Sequence, residues 1–330
     1  MLNSGPHQRI RPPSKSERFE GVAFSPDGNV VAIAAAATNA VLLFRRRFDG
    51  TFEDAPYSRI SGASSKLNYP HDVSFSPCGN TDLLAVAQRA GAIAVFRRNR
   101  ENGHYGDRPV FEITGAKSRL SFSDGVAFAP PNYDYLAACN LALSTITFYR
   151  RVSLWPVRFE VVPEFELQHP DMFQPDGLAF SPCGRWLATA NHGANSVTVF
   201  ERRNRLFYGG KLKYGPAPIA TIKDARLRYP HSVAFTRTGH LVVTNAGGNY
   251  FTVHESRSFF GRRLWSESCC LQQLVGNEES FRLVNAENKM EGGPKGVAIN
   301  GNDLAVCSPE FGVEIYRLHD QARSSFVKKS

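Results

Sequence analysis

The sequence predicts an all-β fold: a six-bladed β-propeller with four-stranded blades, its ring closed by the N-terminal strand. Three observations carry that expectation. One motif is written six times, beginning at Gly21-Val22, Asp72-Val73, Gly125-Val126, Gly177-Leu178, Ser232-Val233 and Gly296-Val297. The copies step by 51, 53, 52, 55 and 64 residues, and periods of roughly 40 to 50 residues with several strands each mark propeller blades. Within each copy, short apolar or alternating runs are bounded by Gly, Pro and Asn, and no segment holds a helical period.

The fourth copy shows the strands most plainly. Leu178 to Phe180 ends at the turn Ser181-Pro182-Cys183-Gly184, Trp186 to Ala190 ends at Asn191-His192-Gly193-Ala194-Asn195, and Val197 to Phe200 ends in a basic cluster. Fourth strands follow at Phe111-Glu112-Ile113, Phe165-Glu166-Leu167 and Ile219-Ala220-Thr221-Ile222. Their alternation suits an outer edge with one face buried and one wet.

Taken in order, residues 1–20 hold Gln8-Arg9-Ile10, with Ile10 lying 12 residues before Val22. Ile60 and Ile113 lie 13 before Val73 and Val126. The N-terminus is therefore expected to give the outer strand of the last blade, joining both ends of the chain against fraying. Phe326-Val327 competes for the same edge. Blades one and two, roughly 21–115, are the most regular. Blade three departs at Ala129-Pro130-Pro131-Asn132-Tyr133-Asp134 and carries Trp155-Pro156 in the loop from its third to its fourth strand. A loop rich in Arg, Lys, Tyr and Gly, residues 203–218, leads into blade five. Residues 254–294 are the least repeat-like and read as an irregular insertion, a candidate lid or partner surface.

The 330 residues, 42% of them hydrophobic, can bury a real core, and the even repeat argues for one domain over 1–330. The N-terminus has no apolar segment of the signal-peptide kind, and no run of 18 apolar residues suggests a membrane span. Six cysteines occur without a CxxC pair. Cys78 and Cys183 occupy the same turn position in different blades, where the first copy has Asp27. Free thiols fit a reducing compartment, so the chain reads as a cytoplasmic monomer. The formal net charge is +9. Arginines end the third strands (Arg45 to Arg47, Arg97 and Arg98, Arg150 and Arg151, Arg202 and Arg203), so they should gather on one face beside aromatic-rich loops. That face suits a protein partner. Nucleic acid is the weaker option, since no RNP, KH or zinc-finger motif is present. The bland alternative is a solvated rim whose arginines pair with Glu53, Asp54, Glu101, Asp107 and Glu201.

The repeat PHxVxFSPxG…LxxAN…xVTVF resembles the YVTN-type and NHL-type propeller repeats, with a looser likeness to WD40-like and bacterial lactonase-like propellers. The resemblance covers nearly the whole chain. It implies the fold and leaves function open, because such propellers host enzymes, binding modules and scaffolds alike.

In propellers of this kind the first strand of each blade lines the central channel. The residue before the motif's small residue then stands at the channel mouth, giving Glu20, His71, Asp124, Asp176, His231 and Lys295. All six ionise. Three carboxylates against one lysine leave two formal negative charges when the imidazoles are neutral. Like charges in a narrow channel raise carboxylate pKa values unless a cation answers them. A divalent metal held by Glu20, Asp124, Asp176, His71 and His231 would do so, with zinc, iron or manganese ahead of calcium because two donors are imidazole nitrogens. The resemblance to six-bladed gluconolactonase-like propellers implies a divalent metal in this place with Glu20, Asp124 and Asp176 as ligands. His71, His231 and Lys295 depart from that pattern.

Loops after the second strands join the same face and offer Gln88, Arg89, Asn140, Asn191, His192 and Asn245. Lys295, Asn140, Asn191 and Asn245 are candidate channel-mouth ligands. In a catalytic ring, one of His71, His192 or His231 would be the general base, and His192 has no counterpart in the other copies. No GxSxG elbow indicates a serine nucleophile. The bland reading is that ring residues hydrogen-bond the neighbouring blade and the asparagines hold tight turns. Two functions follow. One is a binding protein or interaction scaffold, with a small-ligand or metal site at the mouth and a basic docking face opposite. The other is a metal-dependent lactonase or esterase using the same residues.

Overall fold

A computed structural model describes residues 2, 5–14, 16–77, 82–130, 134–203, 210–259, 262–279, 281–282, 291–309 and 311–318. Six four-stranded antiparallel blades follow one another around a central channel. Blade one is Phe19–Phe24, Val30–Ala35, Ala40–Arg45 and Ser58–Ile60. Blade two is Pro70–Phe75, Leu83–Gln88, Ala92–Arg97 and Phe111–Ile113. Blade three is Ser123–Ala129, Tyr135–Asn140, Thr145–Leu154 and Phe165–Leu167. Blade four is Pro175–Phe180, Trp186–Asn191, Ser196–Glu201 and Ala220–Ile222. Blade five is Pro230–Phe235, Leu241–Asn245, Tyr250–His254 and Leu271–Leu274.

Blade six is Val297–Asn300, Asp303–Ser308 and Gly312–Arg317, and its outer strand is Gln8–Ile10. The register Gln8 to Ile315, Arg9 to Glu314 and Ile10 to Val313 closes the ring as the spacing predicted. Phe326-Val327 lies outside the described residues.

Each first strand carries an apolar pair two and four residues after its ring position, and these pack between blades. Val73 and Phe75, for example, lie against Ala32, Leu43, Leu84 and Phe96. Burying each large side chain of this kind stabilises by about 1.5–3 kcal/mol. The inner strands approach closely where the motif has glycine. A Cβ on Gly177 would stand 2.6 Å from the His231 carbonyl oxygen, and one on Gly21 would stand 2.6 Å from the Asp72 Cα. In blades one to five the ladder between first and second strands shifts register at this point. Such irregularities re-aim side chains, and here they occur where the ring residues turn to the axis.

Two stretches differ from the sequence reading. The insertion at 254–294 contains the fourth strand of blade five and a hairpin, Ser256–Phe259 with Arg262–Trp265. Trp265 returns that hairpin to the body: its ring lies 5.6 Å from Trp186, and its Nε1 donates to Gly239 O at 3.0 Å. In blade three, the supposed loop around Trp155 is a hairpin, because the third strand runs on to Leu154 and pairs with Val157–Phe159. Periodicity misses both because their alternation is short and their outer faces are wet.

Among the described residues no helix is long and apolar enough to cross a membrane. Among the described residues Cys139, Cys183, Cys269 and Cys307 are free thiols, and Cys78 lies outside them. Many of the strand-end arginines are paired. Arg47 meets Asp54 at 2.7 Å, Arg98 and Arg100 both meet Asp82 at 2.8 Å, and Arg151 meets Asp134 at 3.2 Å.

Candidate functional site

The six ring residues come together at one end of the channel. All are buried, with exposures between 0 and 3%. The space among them is about 10 Å³, room for one water-sized sphere. Beyond the glycines the channel widens to about 320 Å³, lined by Phe24, Phe75, Phe128, Phe180, Phe235 and Ile299. Asp72 and Ser232 border both spaces.

Blades two and five stand opposite one another and repeat the same local structure. Tyr69 and Tyr229 take left-handed backbone conformations (φ 54° and 48°), each followed by proline and a ring histidine. Asn39 Oδ1 accepts the Tyr69 N–H and Asn195 Oδ1 accepts the Tyr229 N–H, both at 2.7 Å. These struts aim His71 and His231 at the axis, where their rings stack with centroids 5.0 Å apart.

His71 Nδ1 lies 3.2 Å from the Asp124 carbonyl oxygen. A proton on Nδ1 makes that contact a hydrogen bond and leaves Nε2 as a free electron pair, the usual way a ligating imidazole is oriented. Burial pushes the His71 pKa down to about 4 and that of His231 well below its ordinary value, so both rings are neutral near pH 7. His71 Nε2 and His231 Nε2 each lie 3.7 Å from Glu20 Oε2, and His231 Nε2 lies 3.5 Å from Asp176 Oδ2. Among the described residues none of these four atoms has a hydrogen-bond partner. Buried acceptors are ordinarily satisfied, so each such atom calls for an explanation.

The five predicted ligands do not form one coordination set. They divide into two overlapping groups, Glu20-His71-His231 and His71-Asp124-Asp176. Asp124 is committed to Arg89, which donates from Nε at 2.9 Å and Nη2 at 3.3 Å. Asp176 is pushed well above the ordinary carboxyl range, first by burial and then by the Asp124 charge. The two-histidine, one-glutamate group has the donors of a catalytic zinc site and of a facial iron triad. Calcium, which takes oxygen ligands alone, suits it poorly.

Three charged groups at the mouth were absent from the ring as read from sequence. Arg18 hydrogen-bonds Glu20, Arg89 holds Asp124, and Glu291 accepts from Lys295 Nζ at 2.8 Å. Four carboxylates against three permanent cations leave one formal negative charge, not two. Arg18 stands two residues before a ring position and Glu291 four before another, so a search for opposite charges flanking the ring positions would have found both. Arg89 was named beside Gln88 without a role.

His192 joins the site: its Nε2 lies 3.5 Å from Glu291 Oε1 and its ring 5.0 Å from Tyr229. The amide nitrogens of the three candidate asparagines turn into their own blades. Asn140 donates to Thr145 and Thr147, Asn191 to Ser196 and Thr198, and Asn245 to Thr252 and the Val243 carbonyl. A buried amide N–H next to threonine hydroxyls finds partners without leaving the sheet, while Asn191 Oδ1 has no hydrogen-bond partner among the described residues.

No family model and no curated protein matches the chain. Solved structures do. A protein designated a candidate 6-phosphogluconolactonase from Bacteroides uniformis aligns with a TM-score of 0.61 at 15% identity, over 96% of this chain and 84% of its own. Its counterpart from Bacteroides fragilis aligns with a TM-score of 0.61 at 16% identity, over 92% and 80%. The periplasmic gluconolactonase of Pseudomonas aeruginosa aligns with a TM-score of 0.60 at 17% identity, over 92% and 82%. The chain thus shares the fold of lactonase-like β-propellers.

Proposed function

We propose that this chain is a metal-dependent hydrolase of the lactonase or esterase kind, with a divalent cation held by Glu20, His71 and His231 and with Asp176 beside them. One observation carries the reading. Four buried ligand atoms, Glu20 Oε2, His71 Nε2, His231 Nε2 and Asp176 Oδ2, have no hydrogen-bond partner among the described residues, and their residues line a space of single-ion size. The fold shared with proteins named as lactonases supports the same reading.

A divalent cation bound there would polarise an ester carbonyl and make hydroxide available near neutral pH. The chain's own groups supply the rest. The His71 Nδ1 contact with the Asp124 carbonyl keeps the ring oriented. Arg18, Arg89 and Lys295 offset the mouth carboxylates, and together with a bound cation would favour an oxyanion as it develops. His192 stands at the mouth with its Nε2 3.5 Å from Glu291 Oε1, placed to accept and return a proton as general base and acid. The free thiols support a reducing compartment such as the cytoplasm.

Metal analysis of the purified chain, with lactone and aryl-ester hydrolysis assayed before and after chelation, tests the proposal. One equivalent of metal, activity lost on chelation and restored by zinc or manganese, and both lost in a Glu20→Gln, His231→Gln double variant are expected. Metal-free protein with full activity would overturn it. Stoichiometric metal without turnover would return the chain to a binding module built on the same ring.

A further inference from the structure

Glu291 comes from the segment between blades five and six, where the repeat step lengthens to 64 residues. Its carboxylate lies over the ring, and three donor groups converge on it. Lys295 Nζ, fully buried, donates to Oε2 at 2.8 Å. Arg18 Nη2 stands 3.6 Å from the same oxygen, and His192 Nε2 stands 3.5 Å from Oε1. Glu291 keeps 18% of its side chain exposed, so it lies on the solvent side of this cluster.

Two features set the cluster apart from a permanent ion pair. His192 is 6% exposed, and its Nε2 faces Glu291 Oε1 at 3.5 Å, longer than an ordinary hydrogen bond. Glu291 therefore holds this donor only loosely. An incoming carboxylate would replace the charge that leaves, so exchange for Glu291 would not strand the buried Lys295 cation without a counter-charge, the usual penalty for breaking such a pair. The Glu291 carboxyl is held well below its ordinary range by the His192 contact and then by the Lys295 charge, against the effect of burial. It remains an anion across the working pH range.

We propose that Lys295, Arg18 and His192 form a carboxylate-binding subsite, filled by Glu291 in the resting chain and by the carboxylate of a small hydroxy acid in its place. A hydroxy acid is the preferred class because its carboxylate replaces that of Glu291 while its hydroxyl can satisfy His192 Nε2. On the hydrolase reading, which this deepens, such an acid is what ring opening of a lactone releases. Glu291 is then the chain's own competitor of its product, and displacing it opens the mouth.

Titration calorimetry of 4-hydroxybutyrate into the full chain tests the subsite without requiring turnover, with neutral 4-hydroxybutyramide as control. Glu291→Ala should bind the acid at least tenfold more tightly than the parent, and adding Arg18→Gln should reverse most of that gain. Arg18 is used because the fully buried Lys295 is the position whose variant is most exposed to misfolding. Equal or weaker binding of the acid in Glu291→Ala, or equal tightening for acid and amide, overturns the subsite. Lactone hydrolysis measured in parallel separates the two ideas. Tightened acid binding without hydrolysis in any variant keeps the subsite and removes the hydrolase. Hydrolysis with no tightening does the reverse.

Discussion

The imidazoles of His71 and His231, from opposite blades, stack across the propeller axis with centroids 5.0 Å apart and planes inclined by 23°. Two rings that close tolerate each other only when neutral, and burial holds both so. The pair presents two nitrogen electron pairs to Glu20 Oε2, and neutral imidazole is the form that binds metal.

Stability of the chelated chain should therefore depend on pH in a definable way. His71 has a folded pKa of about 4 against 6.5 unfolded. The unfolded state binds more protons between those values, so this group's contribution is present above pH 6.5 and lost as pH falls toward 4. The upper bound is on the order of 3 kcal/mol. Asp72, pushed up to about 7 by burial, has the opposite sign: its contribution is present below about pH 4 and lost as pH rises through 7. Urea midpoints measured from pH 4 to 7 should be flattened by this opposition. Asp72→Asn should remove the falling component and leave stability that climbs with pH. A variant profile as flat as the parent's would contradict both assignments.

Arg89 and Asp124 should behave as a buried pair. Arg89→Ala leaves the Asp124 carboxylate without its two-nitrogen partner, and breaking such a pair costs about 3–5 kcal/mol. Chemical denaturation at neutral pH should show that loss. Much of it should return in the Arg89→Ala, Asp124→Asn double variant, which no longer buries a bare charge.

The Asn39 strut should matter more than its place in a surface turn suggests. Asn39→Ala removes the hydrogen bond to the Tyr69 N–H, worth about 1 kcal/mol, and puts a less tolerant residue at φ 48°. Asn39→Gly keeps the backbone conformation and loses only the bond. Thermal melts should rank parent above both variants. Because Tyr69 leads directly into His71, metal affinity should fall in both as well.

Ile10 is 1% exposed in the closing strand. Ile10→Ala should cost about 2–5 kcal/mol, comparable with a core position and far more than a typical terminal residue. Limited proteolysis should then cut first near the joined ends. Protection equal to the parent's would show that closure does not depend on this strand.

Blade number, strand order and ring closure were legible in the sequence because each copy repeats one apolar pattern at nearly fixed spacing, and Ile10 keeps that spacing to Val22. The ring was legible for the same reason: pseudo-symmetric positions must converge on an axis, whatever side chains occupy them. Chain order alone could not say which ring members face one another, that Arg18 and Arg89 take up Glu20 and Asp124, or that the Asn140, Asn191 and Asn245 amides turn inward to their own threonines and backbone. Those outcomes depend on register shifts and on contacts between residues tens to hundreds of positions apart. Glu291 reaches the mouth from a stretch that does not repeat, so no periodicity marks it, and only the folded ring places its carboxylate over Lys295.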